Sequence, residues 1–474
     1  MKTIYKYVSL ALVLGTLVAC ENDFLEPVPE SAISSLGYFS NDEEIETGVI
    51  AMYDAIQGIN STDLDDNRGV QLEYYLTEMR SDNTRTKSQE GEAAQFESFT
   101  VSTANGIVNN YYKSFYNVIY RANLVLANLG NASEAKATQF EAEAKFVRAY
   151  AYFNLVRLYG DIPLIDGLIG PLDNETAFTR VAAATIYELI VEDLGIAAAG
   201  LTNGEKFRAS KAAAEALLAK VHLTLGNYTE AQVLCENVMR YGFALESNFN
   251  DVFYNEGNNE IIFAIAYNPG IESDSQDFSA EFMNGVGRTV GVNYVTDEAI
   301  AALDEFGGDR TQYSYRVDPS QPTQTQVVKY LPNGEDGGAD GKSFSTDATL
   351  SGNDWIVIRY ADVLLMHVEA ILAGGQETSA GAALSSFQTV RDRAGITTPV
   401  SSITKTDLLN ERRVELAFEN HRLFDLIRFG VAQDVLSAFS TANGYGFTAT
   451  DLLLPIPQNE INLSKGLMNQ NPGY

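Results

Sequence analysis

Apolar residues recur at three- and four-residue steps through most of the stretch from 42 to 241. Within 111–129, Phe115, Val118, Ile119, Ala122, Val125 and Leu129 fall on one side of a helix. Within 184–199, Ile186, Leu189, Ile190, Leu194 and Ala197 repeat the pattern, with Asp193 as a single polar interruption. The same period predicts helices over 42–56, with Asn41 or Asp42 as the cap, and over 140–159, 210–225 and 229–241. Helices outnumber every other signal, so an all-α dominated fold is expected. Tyr152, Phe153 and Tyr159 could be read as a sugar platform, but they lie on a densely apolar helix and are assigned to the core.

The periodicity fails over 57–106 and 267–353, which are long, polar and rich in glycine. Irregular excursions of that length inside a compact chain carry binding surface more often than packing. The first contains Arg68, Tyr74, Tyr75, Arg80, Asp82, Asn83, Arg85 and Lys87; the second contains Phe282, Arg288, Asn293, Tyr294, Tyr313 and Tyr315. Sugar recognition needs flat aromatic faces against C–H surfaces, with Asn, Asp and Arg to pair with hydroxyls, and both segments supply that mixture. The ligand contacts expected from it are Arg80, Asp82, Asn83, Arg85, Arg288, Asn293 and Tyr294. Arg80, Arg85 and Lys87 form a basic cluster on an acidic protein, which suits uronate or sulfate groups on the ligand. Trp355, the only tryptophan, sits just before Arg359 at the start of a helical pattern and is assigned to packing.

Residues 410–430 read as one helix closed by Gly430. Glu411, Glu415 and Glu419 recur four residues apart on one face, and Arg412, Arg413, Arg422 and Arg428 are interleaved with them. Carboxylates so placed could serve a metal or acid–base site. Four guanidiniums beside them favour mutual neutralisation, so the segment is expected to be a structural ion-pair helix.

Residues 214–231 (Ala214, Leu217, Leu218, Ala219, Val221, Leu223, Leu225, Gly226, Asn227, Tyr228, Ala231) resemble a tetratricopeptide unit, in which small residues let two antiparallel helices approach. A second copy is expected over 359–372, with 382–393 as its partner helix.

The wording of 143–164 and 410–430, the run Leu453-Leu454-Pro455-Ile456-Pro457 and the tail Asn469-Gln470-Asn471-Pro472-Gly473-Tyr474 together resemble the SusD/RagB-like family over nearly the whole chain. Its members are surface nutrient-binding lipoproteins of Bacteroidetes, partnered with TonB-dependent transporters. The resemblance implies a tetratricopeptide-like scaffold of four helix pairs with long irregular ligand-binding loops, and ligand contacts in insertions corresponding to 57–106 and 267–353. It also implies a SusC-like TonB-dependent transporter as partner. The lone, packed tryptophan departs from relatives that use tryptophan platforms.

The amino-terminal end fits that picture. Lys2 and Lys6, the apolar run 8–18 and Leu17-Val18-Ala19-Cys20 form a secretory signal too short to span a bilayer. The cysteine at the cleavage position resembles a bacterial lipobox, which implies lipidation of Cys20 and anchorage in the outer membrane; Glu21 and Asp23 resemble surface-export signals. The expected organisation is a signal peptide at 1–19, a lipidated tether at 20–40 and a single domain at 41–474.

Charge and chemistry narrow the function. The net charge is −31, and removing residues 1–19 takes away two lysines and no acids, leaving 30 cations against 63 acids, or −33. Such a surface repels nucleic acid. With Cys20 acylated only Cys235 remains, so no intramolecular disulfide is expected. Asp63, Asp65 and Asn67 begin like a calcium loop, but Arg68 occupies the turn-glycine position and Tyr74 that of the bidentate acid. Gly285, Gly287 and Gly291 miss the dinucleotide spacing, and His222, His367 and His421 form no ligand pair. No cofactor, metal or catalytic residue is expected. The reading is a non-enzymatic cell-surface binder of oligosaccharides. A peptide-binding counterpart of the same fold, or a helical glycosidase or lyase using two carboxylates, are the alternatives.

Overall fold

The helices begin where the sequence offers a cap. The computed structural model describes residues 38–474 apart from 62, 64, 87–90, 171, 284–292, 319–321, 324 and 333–346. The Asn41 side chain accepts the N–H groups of Glu43 and Glu44 (both 3.1 Å) and starts α1 (Asp42–Gln57). Asn105 does the same for α2 (Gly106–Ala127). Then come α3 (Glu134–Tyr159), α4 (Ala183–Gly200), α5 (Lys211–Leu225), capped by Ser210, and α6 (Tyr228–Met239). Beyond them lie α7 (Asp297–Phe306), α8 (Tyr360–Leu372), α9 (Gly381–Arg393), α10 (Lys405–Glu415), α11 (Arg422–Arg428) and α12 (Ala432–Asn443).

Pairs α1/α2, α3/α4, α5/α6 and α8/α9 stack in series, each touching the next. This is the helix-pair scaffold the repeat signal implies. In α5, Ala212, Ala213, Ala214, Ala216 and Ala219 are buried, which lets neighbouring backbones approach. Gly226, at φ 75°, closes α5 in the left-handed conformation, and Asn227 N–H returns to His222 O at 2.8 Å. The aromatic face of α3 is core as expected, since Tyr152, Phe153 and Tyr159 are all buried. Trp355 is buried too, but in a strand: it opens β6 (Trp355–Arg359), which pairs antiparallel with β2 (Ile261–Ile265). Its ring packs 5.3 Å from Phe278 and 5.5 Å from Tyr330. Among the described residues no helix is long and apolar enough to cross a membrane.

Three expectations need correcting. The excursions 57–106 and 267–353 are not structureless. They hold short helical turns, α7, and the strands β1 (Thr84–Thr86), β3 (Asn293–Val295), β4 (Tyr315–Val317) and β5 (Thr325–Val327). A long segment laid against a core must satisfy its backbone polar groups, and pairing short strands does so.

Nor is 410–430 one helix. It breaks between α10 and α11, where Phe418 and Asn420 take φ of 67° and 63°. Long-range bonds override the local helical pattern there: Asn420 N–H donates to Glu78 Oε1 at 2.8 Å, and Tyr330 O–H donates to Phe418 O at 3.0 Å. Gly430, at φ 70°, does end α11 as the sequence predicts.

The three glutamates are structural, but their partners are not the interleaved arginines. Arg310 reaches Glu411 (2.6 Å) and Glu415 (2.7 Å), while Arg359 reaches Glu415 (2.5 Å), Glu419 (2.7 Å) and Glu260 (2.8 Å). Lys329 pairs with Glu419 at 2.7 Å, and Arg393 bridges Glu260 and Glu415. The interleaved arginines turn elsewhere: Arg412 to Asp362 and Asp425, Arg413 and Arg422 to Asp82, and Arg428 to Glu369 and Asp425. Every member of the glutamate cluster is buried, or nearly so.

Candidate functional site

The two excursions meet in one antiparallel ladder. β1 pairs with β3 so that Thr84 faces Val295, Arg85 faces Tyr294 and Thr86 faces Asn293. Side chains alternate across a strand, so Arg85 and Tyr294 share one face while Thr86 and Asn293 share the other. The first pair is half-buried and the second fully buried. On the open face the Arg85 guanidinium lies 4.9 Å from the centre of the Tyr294 ring.

Chain from the carboxy-terminal part completes the patch. Arg85 Nη1 donates to Asn443 Oδ1 at 3.4 Å, and Tyr445 O–H donates to Glu97 Oε1 at 2.8 Å. The other Glu97 oxygen accepts Thr86 N–H. Burial raises the pKa of Glu97 above the ordinary carboxylate value, and these hydrogen bonds oppose the shift. Burial, and the bond to Glu97, hold the Tyr445 hydroxyl protonated across the physiological range. The result is a half-exposed aromatic and guanidinium surface edged by an amide and a phenol, and Arg85 makes no ion pair among the described residues.

Four of the expected ligand contacts lie inside the protein instead. Arg80 is buried, with Nη1 on Leu76 O (3.1 Å) and Nη2 on Asp451 O (2.6 Å), and it fastens its own turn to the carboxy-terminal segment. Asp82 accepts both Nε (2.7 Å) and Nη2 (2.9 Å) of Arg422, together with Arg413 at 3.0 Å. Burial alone would raise its pKa, but the two guanidiniums hold the carboxyl well below the usual range. Asn83 donates to Glu78 Oε2 at 3.2 Å and accepts from Arg413 Nε at 3.1 Å. Asn293 is wholly buried on the inner face of the ladder.

Polar residue types in a loop do not report which way they face. A segment without a helical period can still be buried: the fold packs Asp82 and Asn83 against Arg413 of α10, and Asp82 also against Arg422 of α11. Arg288, Lys87 and Cys20 lie outside the described residues. Asn443 and Tyr445 belong to neither excursion, so no break in the helical period points to them. The available signal was an aromatic residue directly after Gly444, the left-handed glycine that ends α12.

The stacked helix pairs define a helical-repeat scaffold that brings two distant excursions into one aromatic and cationic patch. The chain belongs to the SusD family. Residues 320–474 match that family, and residues 23–223 match a family described as "Starch-binding associating with outer membrane". A SusD-like protein, P2, of Formosa agariphila is 30% identical, with 99% of both chains covered. A SusD-like protein of Bacteroides ovatus is 27% identical over 88% of this chain and 82% of its own. Among solved structures, a laminarin-binding SusD-like protein is 27% identical and superposes with a TM-score of 0.76, covering 92% of this chain and all of that one. That relative is named for binding rather than for catalysis.

Proposed function

We propose that this protein is a cell-surface glycan-binding lipoprotein that captures oligosaccharide at the β1–β3 patch and delivers it to a SusC-like TonB-dependent transporter in the outer membrane. The observation that carries the reading is the Arg85–Tyr294 pair, which joins the two excursions and presents a flat aromatic face beside a charged fork. The laminarin-binding relative supports the ligand class. Arg85, which makes no ion pair among the described residues although its charge acts on nearby Glu97, suits a uronate or sulfate substituent.

Calorimetry against neutral, uronate-bearing and sulfated glycans, with a peptide panel beside them, tests this. Binding without new reducing ends or unsaturated products is the expected result. Turnover abolished by a carboxylate substitution would move the protein to the enzymes, and binding of peptides alone would move it to a peptide carrier. Tyr294→Ala is expected to weaken glycan binding by about 1–3 kcal/mol, the scale of a lost stacking platform, with little change in thermal stability. Undiminished affinity in that variant would remove the patch from the ligand path.

Anchorage is tested separately. Cys20→Ala is expected to release the folded protein from washed membranes, since acyl chains at about 0.8 kcal/mol per buried methylene would be its anchor. Retention of the unlipidated chain would contradict this.

A further inference from the structure

A second concavity, sharing no residue with the β1–β3 patch, lies between the carboxy-terminal half of α1 and the outer edge of β2. It is a groove of about 320 Å³, walled by Ile50, Asp54 and Gln57 of α1, by Phe207, and by Asn268 and Asp274. Ile50 and Phe207 are 56% and 38% exposed. Ile59 and Ile271 are exposed as well, on neighbouring segments joined by Asn60 N–H donating to Glu272 O at 3.1 Å. An apolar groove with exposed walls and a polar rim suits an interaction site.

The charged side chains lining this groove, Asp54 and Asp274, are both acidic. Gln57 donates one amide N–H to Ala266 O at 2.7 Å, and the Tyr53 hydroxyl is committed to Glu143 and to Ala209 N–H. Asp274 makes no ion pair among the described residues. The nearby cations are occupied. Arg121 is bound to Asp54 (2.7 Å) and Arg208 to Glu46 and Glu143, while Lys206 donates to Gly257 O and Asn258 O.

A site with apolar walls, an open aromatic ring and an unpaired carboxylate fits a long aliphatic stem ending in a cation. The stem would lie on Ile50 and Phe207, and the head would meet Asp274 and the ring face. Among the described residues, no cationic side chain lines the groove to compete with that head. We infer that this groove binds a lysine or arginine side chain of a basic partner polypeptide, independently of the glycan reading.

Calorimetry at low ionic strength, on the full chain expressed without lipidation, tests the inference with an acetylated, amidated hexapeptide alternating lysine and alanine. Asp274→Asn and Phe207→Ala should each weaken binding about fivefold or more, the scale of a cation–π or ion-pair contact. The norleucine analogue should not bind. Ile50→Ser provides an independent variant of the same wall, and thermal melts check that each variant is folded. Glu175→Gln, an exposed carboxylate elsewhere, controls for the overall negative charge and should change nothing. Equal weakening by Glu175→Gln, or parental affinity in Asp274→Asn, overturns the inference. So does loss of an oligosaccharide but not of the hexapeptide in Phe207→Ala. Glycan affinity at Tyr294 should be the same in all these variants.

Discussion

Glu415→Ala should lower the free energy of unfolding by about 3–5 kcal/mol, the cost of removing one partner from a buried ion pair. The side chain is fully buried and faces Arg310 at 2.7 Å, Arg359 at 2.5 Å, and Arg393. Alanine leaves those guanidiniums repelling one another with only Glu411, Glu419 and Glu260 to neutralise them. Burial by itself would raise the pKa of Glu415, but Arg393, Arg359 and Arg310 hold it well below the ordinary glutamate value. A carboxyl whose folded pKa is depressed contributes stability that is fully present above its unfolded pKa, about 4.3, and is lost as pH falls through the folded value. Wild-type protein should therefore lose stability on the acid side of about pH 4 more steeply than Glu415→Gln. Chemical denaturation at pH 7 and at a series of lower pH values measures both effects. A Glu415→Ala variant with parental stability, or one that stays folded and selectively loses glycan affinity, would show that the cluster is not structural.

Asp82→Ala should be similarly damaging, by about 3–5 kcal/mol, because Arg413 and Arg422 would be left buried without their shared carboxylate. It should also reach the ligand. The segment from Glu78 to Thr86 carries Arg85, and Asp82 ties it to the break between α10 and α11. The partner strand is tied in at the same place, since Thr296 O–H donates to Asp82 O at 2.7 Å and Thr296 N–H to Asn83 O at 3.0 Å. Loss of the carboxylate should loosen the ladder that sets Arg85 against Tyr294, so glycan affinity falls together with stability. Arg85→Ala should reduce affinity with little loss of stability, because its side chain is half-exposed and gives up only one long hydrogen bond, to Asn443. Melts and calorimetry on the two variants separate a tether from a contact. Full affinity in folded Asp82→Ala would show that the patch holds its shape without the tether.

Much of the scaffold was legible in the chain, and little of the site was. Every helix predicted between 42 and 241 exists, with boundaries displaced by no more than about six residues, as expected where caps and frayed ends set the limits. At the site, of the six expected contacts among the described residues only Arg85 and Tyr294 stand on an open face, and Asn443 and Tyr445 joined them unannounced.

By itself the sequence determined the helical period, the small-residue faces that let helices pair, the family wording and the structural character of the charged segment at 410–430. Each of these is a local property: an apolar stripe or a run of opposite charges is written in residues a few positions apart. The tertiary structure alone decided which charges meet, where the 410–430 helix breaks, and which polar loop residues face water. Glu415 finds Arg359 56 positions away and Arg310 105 away. Asp82 finds Arg422 340 positions away. A carboxylate binds whichever guanidinium folding delivers to it, and a strand's exposed face is chosen by its ladder partner, so neither is encoded in the neighbouring residues.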